Sequence, residues 1–355
     1  MIQNTLVRIL LFPFSLVYGF IMEVRNILYE SNITRSSRFS VPIISVGNLA
    51  VGGAGKTPHV EYLVRLLKPY IDVATLSRGY NRKTKGFRFV QVSDNADAVG
   101  DEPLMYARKH KDIVVAVCES RAEAIPLMLQ KFPGLQTIIL DDAYQHRSII
   151  PDMNILLSAY DLPFTRDYIL PAGRLRERRS SYERADVIVV TKCPPDLSEE
   201  ARTKVLKEIK PYDYQKVFFS TYSYLHPYSF FDGTIRIELE DVRHMVVISA
   251  IANTSHLMEY LDSYQNEVIS MEYEDHHYFT EYDIRQVRKH LDVLPEGKSI
   301  VITTEKDATR LALHYALIRE LGIPLFVIPV EVSFLFDEGK TFDELVQKFL
   351  LDKQV

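Results

Sequence analysis

Three things are scarce in this 355-residue chain, and each scarcity excludes a class of protein. Cysteine occurs only at Cys118 and Cys193, too few for a disulfide framework or a cysteine-rich metal site, so a reducing compartment is expected. Chain breakers are sparse: 14 glycines and 17 prolines accompany 47% hydrophobic residues, which excludes disorder and fits a packed chain. A basic excess is missing too, since 42 Lys and Arg face 47 Asp and Glu. With a net charge of −5, no nucleic-acid partner is expected, and no feature implies a protein partner. Internal repeats and low-complexity tracts are absent. The length allows two domains of ordinary size or one large α/β domain.

What is present is unevenly spread. Between Arg8 and Glu23 lies an uncharged, mostly apolar run from Ile9 to Met22. As a helix this run spans about 21 Å, against roughly 30 Å of bilayer hydrocarbon, so it is too short to cross. Pro13 is expected to kink or break it. Glu23-Val24-Arg25-Asn26 follows with no small-residue cleavage site, which argues against a secretory signal. Val24, Ile27 and Leu28 then take helical spacing among Glu23, Arg25, Asn26 and Glu30. Residues 1–38 carry Arg8, Arg25, Arg35 and Arg38 against only Glu23 and Glu30. Two readings stay open: a monotopic helix lying in an anionic membrane surface, or a core helix docked on the body. In either case something must cover so large an apolar face.

Beyond residue 40, short β-branched runs alternate with helical stretches. Strands are expected at Val41–Val46, Val73–Ser77, Ile113–Val117, Thr137–Asp141, Asn154–Leu157 and Val187–Thr191. Others are expected at Val217–Ser220, Met245–Ala250, Glu267–Met271, Ile300–Thr304 and Leu325–Ile328. Continuous apolar runs imply strands buried on both faces, hence an α/β fold with a mainly parallel sheet. So many strands favour two α/β/α units. The expected division is a membrane-associating helix at 1–38, a P-loop NTPase-like core at 39–220, a connection at 221–240 and a second α/β unit at 241–355.

The strongest chemical signal is Val46-Gly47-Asn48-Leu49-Ala50-Val51-Gly52-Gly53-Ala54-Gly55-Lys56-Thr57. A strand ends, a glycine-rich loop follows, and a helix starts with Pro58 in its first turn. Gly52, Gly53, Ala54 and Gly55 let successive backbone N–H groups converge on phosphate oxygens. Lys56 is placed to reach the β- and γ-phosphates, and Thr57 to ligate Mg²⁺. Ala50 stands where the strict pattern has its first glycine. Thr137-Ile138-Ile139-Leu140-Asp141-Asp142 supplies the partner element, a buried strand ending in two carboxylates able to hold or orient the metal. Together these point to a nucleoside triphosphate. A GTPase carries Asn-Lys-x-Asp after a strand; the nearest string here is Thr191-Lys192-Cys193-Pro194, so ATP is favoured.

The remaining motifs carry a resemblance. The phosphate loop with Pro58, Ser77-Arg78-Gly79-Tyr80, Gly100-Asp101-Glu102-Pro103, Asp141-Asp142-Ala143-Tyr144-Gln145-His146, Leu170 to Glu177, Asp275-His276-His277 and Thr304-Glu305-Lys306-Asp307-Ala308 stand in one order. In that order the chain resembles the tetraacyldisaccharide 4′-kinases, with departures at Ala143, Asn81 and Cys118-Glu119-Ser120. The resemblance implies ATP-dependent phosphorylation of the 4′-hydroxyl of a tetraacylated glucosamine disaccharide 1-phosphate at the cytoplasmic face of the inner membrane. It implies Asp101 as general base, although the residues alone equally suit an N-cap of the helix that follows. It also implies that His276 orients Asp101 and tunes it, closing the site across two domains. Arg176 is expected to clamp ATP phosphates or the substrate's 1-phosphate, while Arg174, Arg178, Arg179 and Arg184 meet anionic lipid or solvent. Gln145 and His146 are expected near the γ-phosphate, and Glu305 to Asp307 serve nucleotide contact or a helix cap. The rival reading is a membrane-anchored P-loop ATPase or GTPase acting as a switch or assembly factor.

Overall fold

The computed structural model describes residues 5–264, 266–295 and 299–354. Fully buried apolar strands form the centre of a nine-stranded sheet. Its order runs Val330–Phe334, Lys216–Tyr224, Val187–Thr191, Met153–Ala159, Ile43–Asn48, Thr137–Asp141, Val73–Ser77, Val114–Val117, Arg88–Phe89. All seven inner strands are parallel, and the two edges are antiparallel. Helices cover both faces, as burial of both faces demands. One core packs Val60, Leu63, Leu104 and Tyr106 against the sheet, and on the opposite face Ala124, Ile125 and Met128 do the same. In register Val46 pairs Asp141, so the phosphate loop and the paired carboxylates leave neighbouring strands at the same end.

A five-stranded sheet follows in the order Glu267–Glu272, His244–Ser249, Ser299–Thr304, Leu325–Ile328, Tyr228–Ser229, parallel except at its last edge. Two elements depart from the expected division. Val330–Phe334 pairs antiparallel with Lys216–Tyr224, and Gly339–Gln354 packs Phe342, Val346 and Leu350 onto the larger sheet's core. The last residues of the expected 241–355 unit thus return to the larger sheet. The expected connection at 221–240 is in part strand, since Lys216–Tyr224 runs past residue 220 and Tyr228–Ser229 edges the smaller sheet. The smaller unit is inserted between two adjacent strands, with a neck where Leu225 N donates to Pro329 O at 3.0 Å.

The apolar N-terminus is one uninterrupted helix, Thr5–Glu30, with Pro13 inside it. The expected break does not occur. A proline within a helix costs about 3 kcal/mol, and downstream anchors oppose that cost. Ser15 Oγ donates to Ile169 O at 3.0 Å and accepts from Ala172 N at 2.9 Å, Tyr18 Oη donates to Arg176 O at 3.1 Å, and Arg25 Nη2 donates to Gln145 O at 2.8 Å. Ser15, Gly19 and Asn26 form the buried face, whereas Leu6, Ile9, Leu10, Phe12, Phe14, Leu16, Val17, Phe20 and Ile21 are exposed. The small and polar stripe docks on the body, and the apolar stripe faces outward.

Candidate active site

The phosphate loop lies between strand Ile43–Asn48 and helix Lys56–Leu67, with Gly55 in left-handed conformation at φ 85° just before the helix. A β-carbon is disfavoured at that backbone angle, and the turn brings Lys56 and Thr57 to the helix N-terminus. Lys56 Nζ donates to Asn48 Oδ1 at 3.2 Å and stands 3.6 Å from Asp142 Oδ1. Asn48 Nδ2 donates to Ala50 O at 2.6 Å, which fixes the loop's first half. Asn48 had no role assigned from sequence, although its place beside the loop was visible.

The paired carboxylates differ. Asp141 is buried and accepts a hydrogen bond from Tyr106 Oη at 3.0 Å, while its Oδ1 has no hydrogen-bond partner among the described residues. Burial, then the neighbouring Asp142 charge, pushes its pKa up. Asp142, at a left-handed φ of 48°, also feels burial, but Lys56 and Arg176 outweigh it and hold its carboxyl low. Arg176 reaches Asp142 at 3.1 and 3.3 Å and Gln145 Oε1 at 3.0 Å. Its backbone N donates to Leu49 O at 2.7 Å, so this arginine is clipped to the phosphate loop itself. His146 lies 3.4 Å from Arg121 Nη1. Burial first, then Arg121, Arg25 and Arg78, lowers its pKa to about 4. A neutral imidazole thus sits among the guanidinium groups of Arg121, Arg25 and Arg78.

The second half of the site belongs to both units. Gly100, at φ 92°, turns the chain sharply ahead of helix Asp101–Lys109. Among the described residues the Asp101 side chain makes no cap to N2 or N3 of that helix and accepts one backbone hydrogen bond, from Glu102 N to its Oδ1 at 3.1 Å. Its other oxygen meets His276 Nδ1 at 3.0 Å, across the seam between the sheets. Lys306 Nζ lies 3.2 Å from His276 Nε2, 2.9 Å from Glu102 and 3.9 Å from Asp101. An ammonium only donates, so Nε2 accepts and Nδ1 carries the proton facing Asp101. Burial would raise the Asp101 pKa, yet bonds from His276 and Glu102 and the Lys306 charge hold it well below the usual carboxylate range. Glu102 goes the other way, raised to about 7 by burial and then by Asp101. Asp101, Glu102 and His276 form a cluster of metal-ligand type, and the Lys306 ammonium already stands among them as its cation.

Lys306 had no separate role from sequence reasoning. Thr304-Glu305-Lys306-Asp307 read as a helix start, and Thr304 does form that cap: its Oγ1 accepts from Asp307 N–H at 3.1 Å, while the Asp307 carboxylate accepts from Ser249 Oγ and Ala250 N. Glu305 pairs with Lys109 at 2.8 Å across the same seam. His277 is structural, bonded to Asp283 at 3.1 Å and stacked on Tyr273. The fold therefore gathers Lys56, Thr57, Asp141, Asp142, Arg176 and Gln145 at one mouth. Asp101, Glu102, His276 and Lys306 gather at the seam, and Tyr106 links the two through helix Asp101–Lys109.

A family model described as tetraacyldisaccharide-1-P 4′-kinase matches residues 7–350. Among curated relatives, the tetraacyldisaccharide 4′-kinase of Phocaeicola vulgatus is 39% identical over 345 residues, covering 96% of this chain and 94% of that protein. The one from Porphyromonas gingivalis is 40% identical over 338 residues, covering 93% and 94%. A crystal structure of LpxK from Aquifex aeolicus in complex with ATP superposes with a TM-score of 0.74 at 28% identity, covering 97% of this chain and 99% of that one. With its motifs assembled in space and nearly all of its length matched, the chain belongs to the tetraacyldisaccharide 4′-kinase family.

Proposed function

We propose that the chain carries out the reaction of its family, moving the γ-phosphoryl group of ATP to the 4′-hydroxyl of a tetraacylated disaccharide 1-phosphate, with Asp101 as proton acceptor. The observation that carries this reading is the 3.0 Å contact between Asp101 and His276, two residues brought together from different units beside a phosphate loop. A sugar hydroxyl is a poor nucleophile at neutral pH, so an ionised, immobile acceptor aimed at its proton lowers the barrier. In a loose phosphoryl-transfer transition state the proton leaves late, and placement matters more than basicity. That suits a carboxylate held far below its usual range. Asp101 takes the proton as the hydroxyl oxygen bonds to phosphorus and the bond to the β-phosphate oxygen breaks, releasing ADP. His276 keeps Asp101 aimed, and Lys306 keeps His276 in the tautomer that does so.

Thr57, Asp141 and Asp142 suit a divalent metal of magnesium type: hydroxyl and carboxylate oxygens are hard ligands, and the buried Asp141 Oδ1 has no hydrogen-bond partner among the described residues. When bound there, magnesium supplies charge neutralisation to the β- and γ-phosphate oxygens. Lys56 and the N–H groups of Gly52 to Gly55 bind the same phosphates, and Arg176 adds a guanidinium at the loop. The guanidinium groups of Arg78 and Arg121, beside the neutral His146, suit the acceptor's own phosphate.

The run Ile9–Met22 was expected to be too short to cross a membrane, but it lies inside the longer helix Thr5–Glu30, which by length and composition alone is long and apolar enough to do so. Its polar stripe is bonded to the body along several turns, which favours lying in the surface over spanning it. Burying half of its exposed apolar side chains in lipid gains on the order of 10 kcal/mol before ordering costs. We therefore place the enzyme as a peripheral protein at the cytoplasmic face of the inner membrane, where an acylated acceptor is met. The switch-ATPase alternative is not favoured, since it leaves Asp101 and His276 without a task. Transfer of ³²P from γ-labelled ATP to the lipid disaccharide is the test; hydrolysis that is unaffected by lipid and labels none would remove the reading.

A further inference from the structure

One ammonium outside the chemistry above grips three elements of the site at once. Lys109 ends helix Asp101–Lys109, the helix that begins with the proton acceptor. Its Nζ donates to Glu305 Oε2 at 2.8 Å and to Glu61 Oε2 at 3.2 Å. Glu61 lies in helix Lys56–Leu67, just over one turn beyond the lysine of the phosphate loop. Glu305 opens helix Glu305–Leu311 of the smaller unit, immediately before Lys306. Helices that start at the phosphates, at Asp101 and beside Lys306 are therefore tied together by a single side chain.

The grip is buried. Glu61, Glu305 and His110 are shielded from solvent, and His110 Nε2 stands 3.3 Å from Glu61 Oε1. Tyr228, on the edge strand of the smaller sheet, lies close enough to both carboxylates that their charge adds to burial in raising its pKa. Burial also raises the pKa of Glu305, against Lys109 and a bond from the Val330 backbone at the neck. Glu61 is held low, because His110 and Lys109 outweigh its burial. Lys109 itself is pushed up, its two carboxylates outweighing burial. One ammonium is thus shared by two buried carboxylates that would repel each other without it.

Where these bonds lie decides what they fix. The smaller unit meets helix Asp101–Lys109 at both ends: Lys306 reaches Glu102 at 2.9 Å near its start, and Glu305 reaches Lys109 at 2.8 Å at its finish. One contact alone would leave the unit free to pivot about that point; two, of opposite polarity, set both position and tilt. The third bond, to Glu61, refers that tilt to the helix that carries the phosphate loop. We infer that Lys109 is a positioning residue for phosphoryl transfer. By bridging Glu61 and Glu305 it sets the seating of the smaller unit on the larger, and with it the aim of His276 on Asp101. The inference rests on Asp101 as proton acceptor. Removing the ammonium reverses the sign of the force, since two buried carboxylates on opposite units then face each other and push the seam apart.

The test compares wild type, Lys109→Met, Glu305→Gln and the double variant by three readouts. These are kcat for lipid phosphotransfer, ATP affinity by calorimetry, and the distance between spin labels on Tyr70→Cys and Tyr282→Cys. Both labelled positions are exposed, one on each unit, and the native Cys118 and Cys193 are buried. Wild type is expected to give one narrow distance. Lys109→Met is expected to broaden it and lower kcat by about 30-fold, with ATP affinity within about threefold of wild type. Adding Glu305→Gln removes the repulsion, so the double variant should recover to the level of Glu305→Gln alone, itself down about threefold. A double variant no better than Lys109→Met, or ATP affinity lost in proportion to kcat, overturns the assignment. If Lys109→Met does not fold, Glu305→Gln decides: kcat and distance both unchanged there overturn it as well. A wild type that gives the narrow distance and labels no lipid removes the kinase reading, while the distances in the variants still decide the seating.

Discussion

The phosphate mouth and the seam at Asp101 are two halves of one site, built in opposite ways. The mouth is local: ten residues from Asn48 to Thr57, backed by Asp141 and Asp142, hold most of it through backbone and short side-chain bonds. The seam is assembled from Asp101, Glu102, His276, Lys306 and Arg310, with 175 positions separating the two members of its central hydrogen bond. The mouth is set once its strand, turn and helix form. The seam exists only while the inserted unit is seated on the larger sheet. Binding of ATP should therefore survive damage to the seam, and phosphoryl transfer should not.

The largest expected contrast is between Asp101→Ala and Lys56→Ala. The first should lower kcat by roughly 10²–10⁴ with ATP affinity nearly intact, while the second should impair both. Equal loss of ATP binding in the two would erase the distinction between mouth and seam. Next comes the membrane face, which lies outside both halves. Leu10→Ser with Phe14→Ser, two exposed side chains, should weaken partition onto anionic vesicles by about 30-fold or more. ATP affinity should not move; a fall in it would tie the helix to the mouth through Arg25 and Gln145.

Lys306→Met keeps the stem and removes the charge that fixes His276. We expect kcat to drop about tenfold with little change in KM for ATP, and unchanged kcat would take Lys306 out of the seam's function. The smallest effect is on pH. Glu102 titrates near 7, and its deprotonation puts negative charge beside Asp101 and raises that carboxylate's basicity. A rise of kcat by a few-fold between about pH 6 and 8 should follow, and Glu102→Gln should flatten it. A rise that persists in Glu102→Gln belongs to another group. For stability the sign is reversed. Its raised pKa means that Glu102 favours the fold when protonated, so its contribution weakens as pH rises through 7.

The same contrast explains what the amino-acid order disclosed. The inner parallel strands were readable because burial on both faces demands unbroken apolar runs, as in Thr137–Asp141 and Val187–Thr191. The three antiparallel edges, Arg88–Phe89, Tyr228–Ser229 and Val330–Phe334, were not, being short or half-buried. The return of the C-terminal helix to the larger sheet has no local signature, since Phe342, Val346 and Leu350 suit any core. At the mouth, glycine spacing encodes the chemistry directly. At the seam, Asp101 and His276 came from family likeness, and Lys306 was missed because its partners arrive only through tertiary contact. Pro13 erred in the other direction: a local rule for breaking a helix gave way to hydrogen bonds from a loop about 155 residues away.

The central claim is that Asp101 and His276 act as one unit across the seam, and a double-mutant cycle on lipid phosphotransfer tests it most directly. Rates are compared for wild type, Asp101→Asn, His276→Ala and the double variant under saturating ATP. If the pair is one device, the double variant falls no further than Asp101→Asn alone, within about threefold. If the two losses multiply instead, the residues act independently, and the seam is not the catalytic unit described.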